Sequence, residues 1–187
     1  MSRIKGSTLV HRFHFLAERF GEAAPARLKA ALPAADTALL EAGILASEWY
    51  PFDLYNRVDA AICRLFADDD PLFCRKIGAD SAHRAVAGVY RAWAKDGPER
   101  LLRRLPALHA ALYDAGGIDV TEAGPGRWLL RARFLPRSTR TNCLVAMGFY
   151  GALLERAGAR DVRVAEAACS GDGAVSCLFQ VAWAASS

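Results

Sequence analysis

The chain has 187 residues, 53% of them hydrophobic and 24% charged, with 8 Pro, 15 Gly and 5 Cys. These proportions exclude a disordered chain, a collagen-like or low-complexity chain and a cysteine-dense disulfide scaffold, and the length suits one domain, residues 1–187, with a sizeable core. The net charge of +4, carried mostly by Arg scattered along the chain, is too mild and diffuse to mark a nucleic-acid surface.

Residues 1–115 read as mainly helical. A helix runs from Ser7, the expected N-cap, to Gly21, with Leu9, Phe13, Leu16 and Phe20 as its buried stripe. The interruptions at Lys5, Arg12, Glu18 and Arg19 remove any signal-peptide centre. Short helices follow at Pro25–Leu32 and Asp36–Ala42. Ile44–Tyr50 is extended, because Pro51 disfavours the helical conformation of the residue before it. Pro51 opens the next helix, with Tyr55, Val58, Ile62 and Leu65 inward. Asp70 and Pro71 cap and start a longer helix to about Lys95, with Val86, Val89 and Trp93 inward. Gly97-Pro98 ends it, and a further helix, interrupted near Pro106, carries Leu101, Leu105, Leu108 and Leu112.

From residue 116 to 187 the periodicity changes to strands around one buried helix. Ile118–Glu122 and Arg127–Leu135 flank Gly124-Pro125-Gly126 as a hairpin. Trp128, Leu130, Ala132 and Phe134 share one face; Arg127, Arg131 and Arg133 share the other and, with Arg137 and Arg140, form a basic run without an acid. A helix capped by Thr139 or Thr141 and closed by Gly158 is apolar nearly all round, and Gly148 and Gly151 let it approach a neighbour. Its uncharged stretch, Thr141–Leu154, is shorter than the ~20 residues of a membrane span. Val162–Cys169 and Cys177–Trp183 complete the pattern, with Cys177, Phe179, Val181 and Trp183 on one face. The expected fold is α+β: an antiparallel sheet of about four strands packed against helices.

Three cysteines fall in this last third. The turn signal Asp172-Gly173 in C-S-G-D-G-A-V-S-C sets Cys169 opposite Cys177, close enough for their sulfurs to share a metal or form a disulfide. Cys143, one turn into the buried helix, supplies a third ligand if that helix crosses the sheet there. Glu166 supplies an oxygen if a bulge intervenes, since residues 166 and 169 of a plain strand face opposite ways. Three thiolates and one harder ligand suit a closed, structural zinc site; three buried thiols beside a solvated Glu are the other reading. Cys63 and Cys74 read as thiols, and His11, His14, His83 and His109 have no metal-binding spacing among them.

The segment Thr141–Trp183 resembles the C-terminal motif of the 4-vinyl reductase (hydrocarbon-binding) domain superfamily. The helical C-L-V-A-M-G-F-Y-G-A-L-L-E, the acid before the first hairpin cysteine, and C-x-x-x-G-x-x-x-C leading to F-x-V-x-W carry the likeness. That superfamily includes the sensor domains of phenol-responsive transcription activators and is related in fold to vesicle-tethering subunits. The resemblance implies zinc at the positions matching the sensors' ligands: Cys143, Glu166, Cys169 and Cys177. The N-terminal K-G-S-T-L-V, F-L-A-E-R-F-G, L-P-A-A-D-T-A-L-L and W-Y-P-F-D-L-Y resemble an uncharacterised bacterial family abundant in myxobacteria.

Together these features point to a cytoplasmic, stand-alone small-molecule-sensing or adaptor domain with a structural zinc and an apolar ligand pocket. Trp49, Tyr50, Trp128, Phe134, Phe149, Phe179 and Trp183 are the candidate pocket walls, each with core packing as its simpler role. The chain carries no output ATPase or DNA-binding region, so a signal would leave through a protein surface, to a second copy or a partner protein. The alternative is a ligand-free dimerisation or interaction module similar to the tethering subunits. An enzyme is the least favoured class: the sequence has no dinucleotide fingerprint, phosphate loop or H-E-x-x-H helix.

Overall fold

The computed structural model describes residues 2–68, 70–88, 90–134 and 138–184. A short antiparallel ribbon, β1 (Arg3–Lys5) with β2 (Trp49–Pro51), brackets α1 (Gly6–Phe20), α2 (Ala24–Ala30) and α3 (Ala34–Glu41). Then come α4 (Phe52–Phe66), α5 (Pro71–Ala87), a 3-10 turn at Trp93–Asp96, α6 (Pro98–Arg103) and α7 (Leu105–Leu112). The remainder is β3 (Gly117–Gly124), β4 (Arg127–Arg133), α8 (Arg140–Arg156), β5 (Arg163–Ala168), a 3-10 turn at Ser170–Asp172 and β6 (Cys177–Ala182). The fold is α+β, with a helical N-terminal half and a four-stranded antiparallel sheet in the order β3-β4-β6-β5. Among the described residues no helix is long and apolar enough to cross a membrane.

Local chemistry accounts for most boundaries. Asp70 caps α5, accepting from Leu72 N at 2.9 Å, and Pro71 follows where its missing N–H costs nothing. Thr139 caps α8, accepting from Asn142 N at 3.1 Å. Four expectations are corrected. The helix from Asp70 stops at Ala87 rather than near Lys95: Gly88 leaves the helical backbone, and Trp93 sits half-buried in the separate 3-10 turn, stacked near Tyr90. Val89, expected inward, lies outside the described residues. The inner face of α1 is rotated: Leu9, Arg12, Phe15 and Leu16 are buried, Phe13 is half-buried, and Phe20 is 37% exposed while still touching Phe66 and Phe73. Lys5, not Ser7, holds the cap position of α1. Finally, Cys63 and Cys74, read as thiols, form a disulfide between the end of α4 and the start of α5, with Cα atoms 6.3 Å apart.

The helix α8 occupies the middle of the molecule, between α5 and the inner face of the sheet. Against α5 the approach is close to backbone contact. A Cβ added to Gly148 would overlap the Arg75 carbonyl oxygen, and one added to Gly78 would overlap that of Val145. On the sheet side, Trp128, Leu130, Ala132, Cys177, Phe179 and Val181 are all buried, and Phe179 meets Tyr150 of α8 edge to face. The arginines of β4 face outward. Arg133 pairs with Asp119 of the neighbouring strand and Arg131 reaches Ser176 Oγ at 3.2 Å, so the basic run is partly neutralised by cross-strand partners; Arg137 lies outside the described residues.

Candidate metal centre and adjoining cavity

Cys143, Cys169, Cys177 and Glu166 come together where α8, β5 and β6 meet. One ligand atom from each lies within 4.8 Å of all the others. The Cys143 sulfur is 3.3 Å from that of Cys169 and 3.2 Å from that of Cys177, and all three cysteines are buried. Glu166 reaches the cluster through a bulge: Glu166 pairs with Phe179 and Ala168 with Leu178, leaving Ala167 as the extra residue. That extra residue makes the three-residue step from 166 to 169 behave as two, so both side chains face inward.

The surroundings suit a cation. Glu166 Oε2 accepts from Arg140, while its Oε1 is buried and has no partner among the described residues. A lone buried carboxylate oxygen costs about 1–3 kcal/mol or more unless something fills its place, and its neighbours here are three thiols. Cys177 receives Ser170 N at 3.4 Å, and Ser170 Oγ lies 3.3 Å away. The bond with Cys143, and then those from Ser170, pull the Cys177 thiol down to about 5 against the effect of burial. Cys143, holding the shared proton, is pushed upward, first by that same bond and then by burial. Gly171 completes the cradle, since a Cβ there would press on Ser138 O at 2.8 Å and Cys169 Sγ at 3.3 Å.

Beside this centre is a cavity of about 260 Å³, enclosed by α1, α5, α7, α8 and the β3–β4 edge of the sheet. Its floor is a buried polar network. Arg12 donates to Asp59 Oδ1 at 2.8 Å and Oδ2 at 3.0 Å, to Ser81 Oγ at 2.7 Å, and to the Tyr55 hydroxyl. Its walls include Leu105, Leu108, Ile118, Phe134, Val145 and Phe149. Burial, then the nearby Arg12 and Arg84, lower His11 to about 4, and burial also lowers His109. Burial raises Tyr55 and takes Tyr113 to about 12. At neutral pH these imidazoles and phenols are therefore uncharged. The remaining cations are matched: Arg12 by Asp59, and Arg84 by Asp80 and Glu18.

Of the candidate walls, Phe134 and Phe149 line this cavity. The others sit elsewhere. Trp49 lies in the ribbon under Lys5 Nζ, 4.1 Å from its ring centre, and the Tyr50 hydroxyl bridges Leu45 N and Gly43 O. Trp128 is packed between Arg103 and Trp183, and Phe179 faces Tyr150. Of the polar cavity groups, Tyr55 was readable as inward from the stripe of its helix, whereas Arg12, Asn142 and His109 had no local signal; only the buried stripe of α1, read one position differently, could have pointed to Arg12.

The family model described as protein of unknown function, DUF2378, matches residues 82–184, more than half of the chain. No curated protein matches it. Among solved structures, an H-NOX protein from S. oneidensis in the Fe(II) ligation state is similar over 98% of both chains, with a TM-score of 0.77 and 11% identity. An Fe(II) unliganded H-NOX mutant from K. algicida is similar over 97% of both chains, with a TM-score of 0.70 and 12% identity. A third, from work on heme distortion in the H-NOX family, covers 96% of this chain and 95% of its own, with a TM-score of 0.66 and 13% identity. At these identities the likeness is one of fold.

Proposed function

We propose that this chain, which belongs to the DUF2378 family, is a small-molecule-sensing or adaptor domain that binds a neutral, largely apolar molecule in the cavity and passes its presence to another protein. The observation that carries the reading is the cavity itself: about 260 Å³, mostly apolar, with every nearby cation already paired. It lies at the lower edge of the ~300–1,000 Å³ range of ligand pockets, so a compact ligand is expected. The fold likeness to H-NOX proteins, described in defined Fe(II) ligation states, supports a ligand-binding domain in general.

The thiol cluster is read as a structural zinc centre held by Cys143, Cys169, Cys177 and Glu166. Four protein ligands leave no open position, so its role is to pin α8, β5 and β6 together. The match of these positions to the 4-vinyl reductase superfamily supports the same reading. Heme, by contrast, does not fit the residues present. The His109 Nε2 is sealed against Gly116 and without a partner, and its ring is stacked on Tyr113 at 4.5 Å. Among the described residues no unpaired Arg stands on the cavity wall to meet a propionate, and the volume falls short of a macrocycle.

A thermal-shift screen of small aromatic and aliphatic compounds tests the ligand reading, with stabilisation by at least one neutral compound as the expected result. A flat response to all of them, together with a dimer in light scattering, would replace it by the ligand-free interaction module. Metal analysis of protein purified without chelator is expected to give about one zinc per chain; less than about a tenth of that would remove the metal.

A further inference from the structure

The cavity and the thiol cluster share a wall, and the residues on that wall are joined. Arg12 has a partner on each of its three nitrogens: Asp59, Ser81 and Tyr55. Arg84 is held by Asp80 and Glu18, and the His109 Nε2 is sealed. Asn142 differs. It lines the cavity and is only 2% exposed; its Oδ1 accepts from Ser138 Oγ at 2.7 Å, and its Nδ2 donates to no group among the described residues. An amide N–H of a buried residue that lines a cavity is incomplete until an acceptor, water or ligand, arrives.

Behind Asn142 the contacts lead to the metal ligands. Ser138 Oγ, which donates to Asn142, also lies 3.5 Å from Cys143 Sγ. The backbone N–H of Ser138 donates to Ser170 Oγ at 3.2 Å, and Ser170 contacts Cys177 Sγ. The Ser138 hydroxyl has a single proton to give, to Asn142 Oδ1 at 2.7 Å, to the more distant Thr139 carbonyl at 3.3 Å, or to a Cys143 thiolate. Asn142 and Cys143 are also consecutive residues in the first turn of α8, so neither moves without the other.

We propose that Asn142 is the polar contact for a neutral carbonyl compound in the cavity, and that Ser138 couples this contact to the metal-binding thiols. The proposal rests on the ligand-and-zinc reading above and adds to it a ligand chemistry and a reciprocal link: whatever factor the metal adds to ligand affinity, the ligand adds to metal affinity.

The test uses the full chain and two probes of the same carbon skeleton, acetophenone and ethylbenzene, of which only the first carries an acceptor oxygen. Zinc-loaded protein is expected to bind acetophenone about tenfold more tightly than ethylbenzene, by calorimetry, and Asn142→Leu to bind the two alike. With cobalt in place of zinc, acetophenone is expected to shift the visible bands of the thiolate-bound metal, and Ser138→Ala to bind acetophenone without that shift. Equal affinity for the two probes in the unaltered protein, a preference that survives Asn142→Leu, or a cobalt shift that survives Ser138→Ala would each overturn the coupling while leaving the cavity reading in place. If neither probe binds, or neither metal is taken up, the function reading itself fails and the coupling with it.

Discussion

Arg12 and Asp59 stand 47 positions apart in sequence and meet in the interior as an ion pair with side chains 2% and 0% exposed. Removing one partner of such a pair costs ~3–5 kcal/mol, because the other is left charged and buried. Asp59→Asn is therefore expected to lower the urea midpoint sharply, and the double change Arg12→Met, Asp59→Leu to recover most of the loss. His11, beside this pair and facing Arg84, Asp80 and His14 as well, gives a pH dependence of known sign. Its folded value of about 4 lies below the ordinary 6.5, so between those values the unfolded chain takes up a proton that the folded chain refuses. Stability should be full above pH ~6.5, fall as the pH drops toward 4, and level off below that; His11→Gln should flatten this slope in denaturation measured across the window. Single residues were legible in the sequence where their partners were near. The Cys169/Cys177 pairing followed from a nine-residue hairpin segment, and the need for a bulge at Glu166 from strand alternation. The Arg12 pairing was not, because an arginine on a helix reads as surface until its distant carboxylate is known.

At the scale of elements, the crossing of α5 and α8 makes a contrast between two glycines of one helix. Gly148→Ala must push its methyl into the Arg75 carbonyl and is expected to cost about 1–3 kcal/mol. Gly151→Ala meets only Val164 Cγ2 at 3.8 Å, an ordinary contact, and should be neutral or gain about 0.5–1 kcal/mol from the helix preference of Ala. Thermal melts of the two variants side by side check the claim. The sequence marked both glycines as places of close approach, and backbone geometry separates them. Helix starts were readable where a capping side chain makes its hydrogen bond, as at Asp70-Pro71 and Thr139, but not at Ser7, which lies inside α1, or at Pro51, which ends β2 one residue before α4. The three-residue strand β1 was not, since nothing local distinguishes Arg3–Lys5 and its partners are distant: Trp49–Pro51 on one side, Tyr113 and Asp114 on the other.

For the molecule as a whole, class and sheet could be anticipated because periodicity changes cleanly near residue 116, whereas the place of the cavity could not: of the seven walls expected, only Phe134 and Phe149 line it. It is bounded by α1, α5, α7, α8 and the sheet at once, and no stretch of sequence encodes a space left between five elements. Stripping the metal with a chelator, or substituting Cys177→Ser, is expected to lower the melting temperature by about 10 °C, equivalent to about 3 kcal/mol at this size, and added zinc should restore the former only. The order β3-β4-β6-β5 has a consequence for synthesis. β6 pairs with both β4 and β5, and it also carries Cys177, so the strand that joins the two halves of the sheet is made after both of its neighbours. On the ribosome, β4 must wait for some forty more residues with its inner edge unpaired, and the thiol cluster, its other three ligands made by residue 169, stays one ligand short until Cys177 follows. Closure of the sheet and capture of the metal then occur as one event, and a nascent chain halted before residue 177 should be held by chaperones or aggregate rather than fold in part.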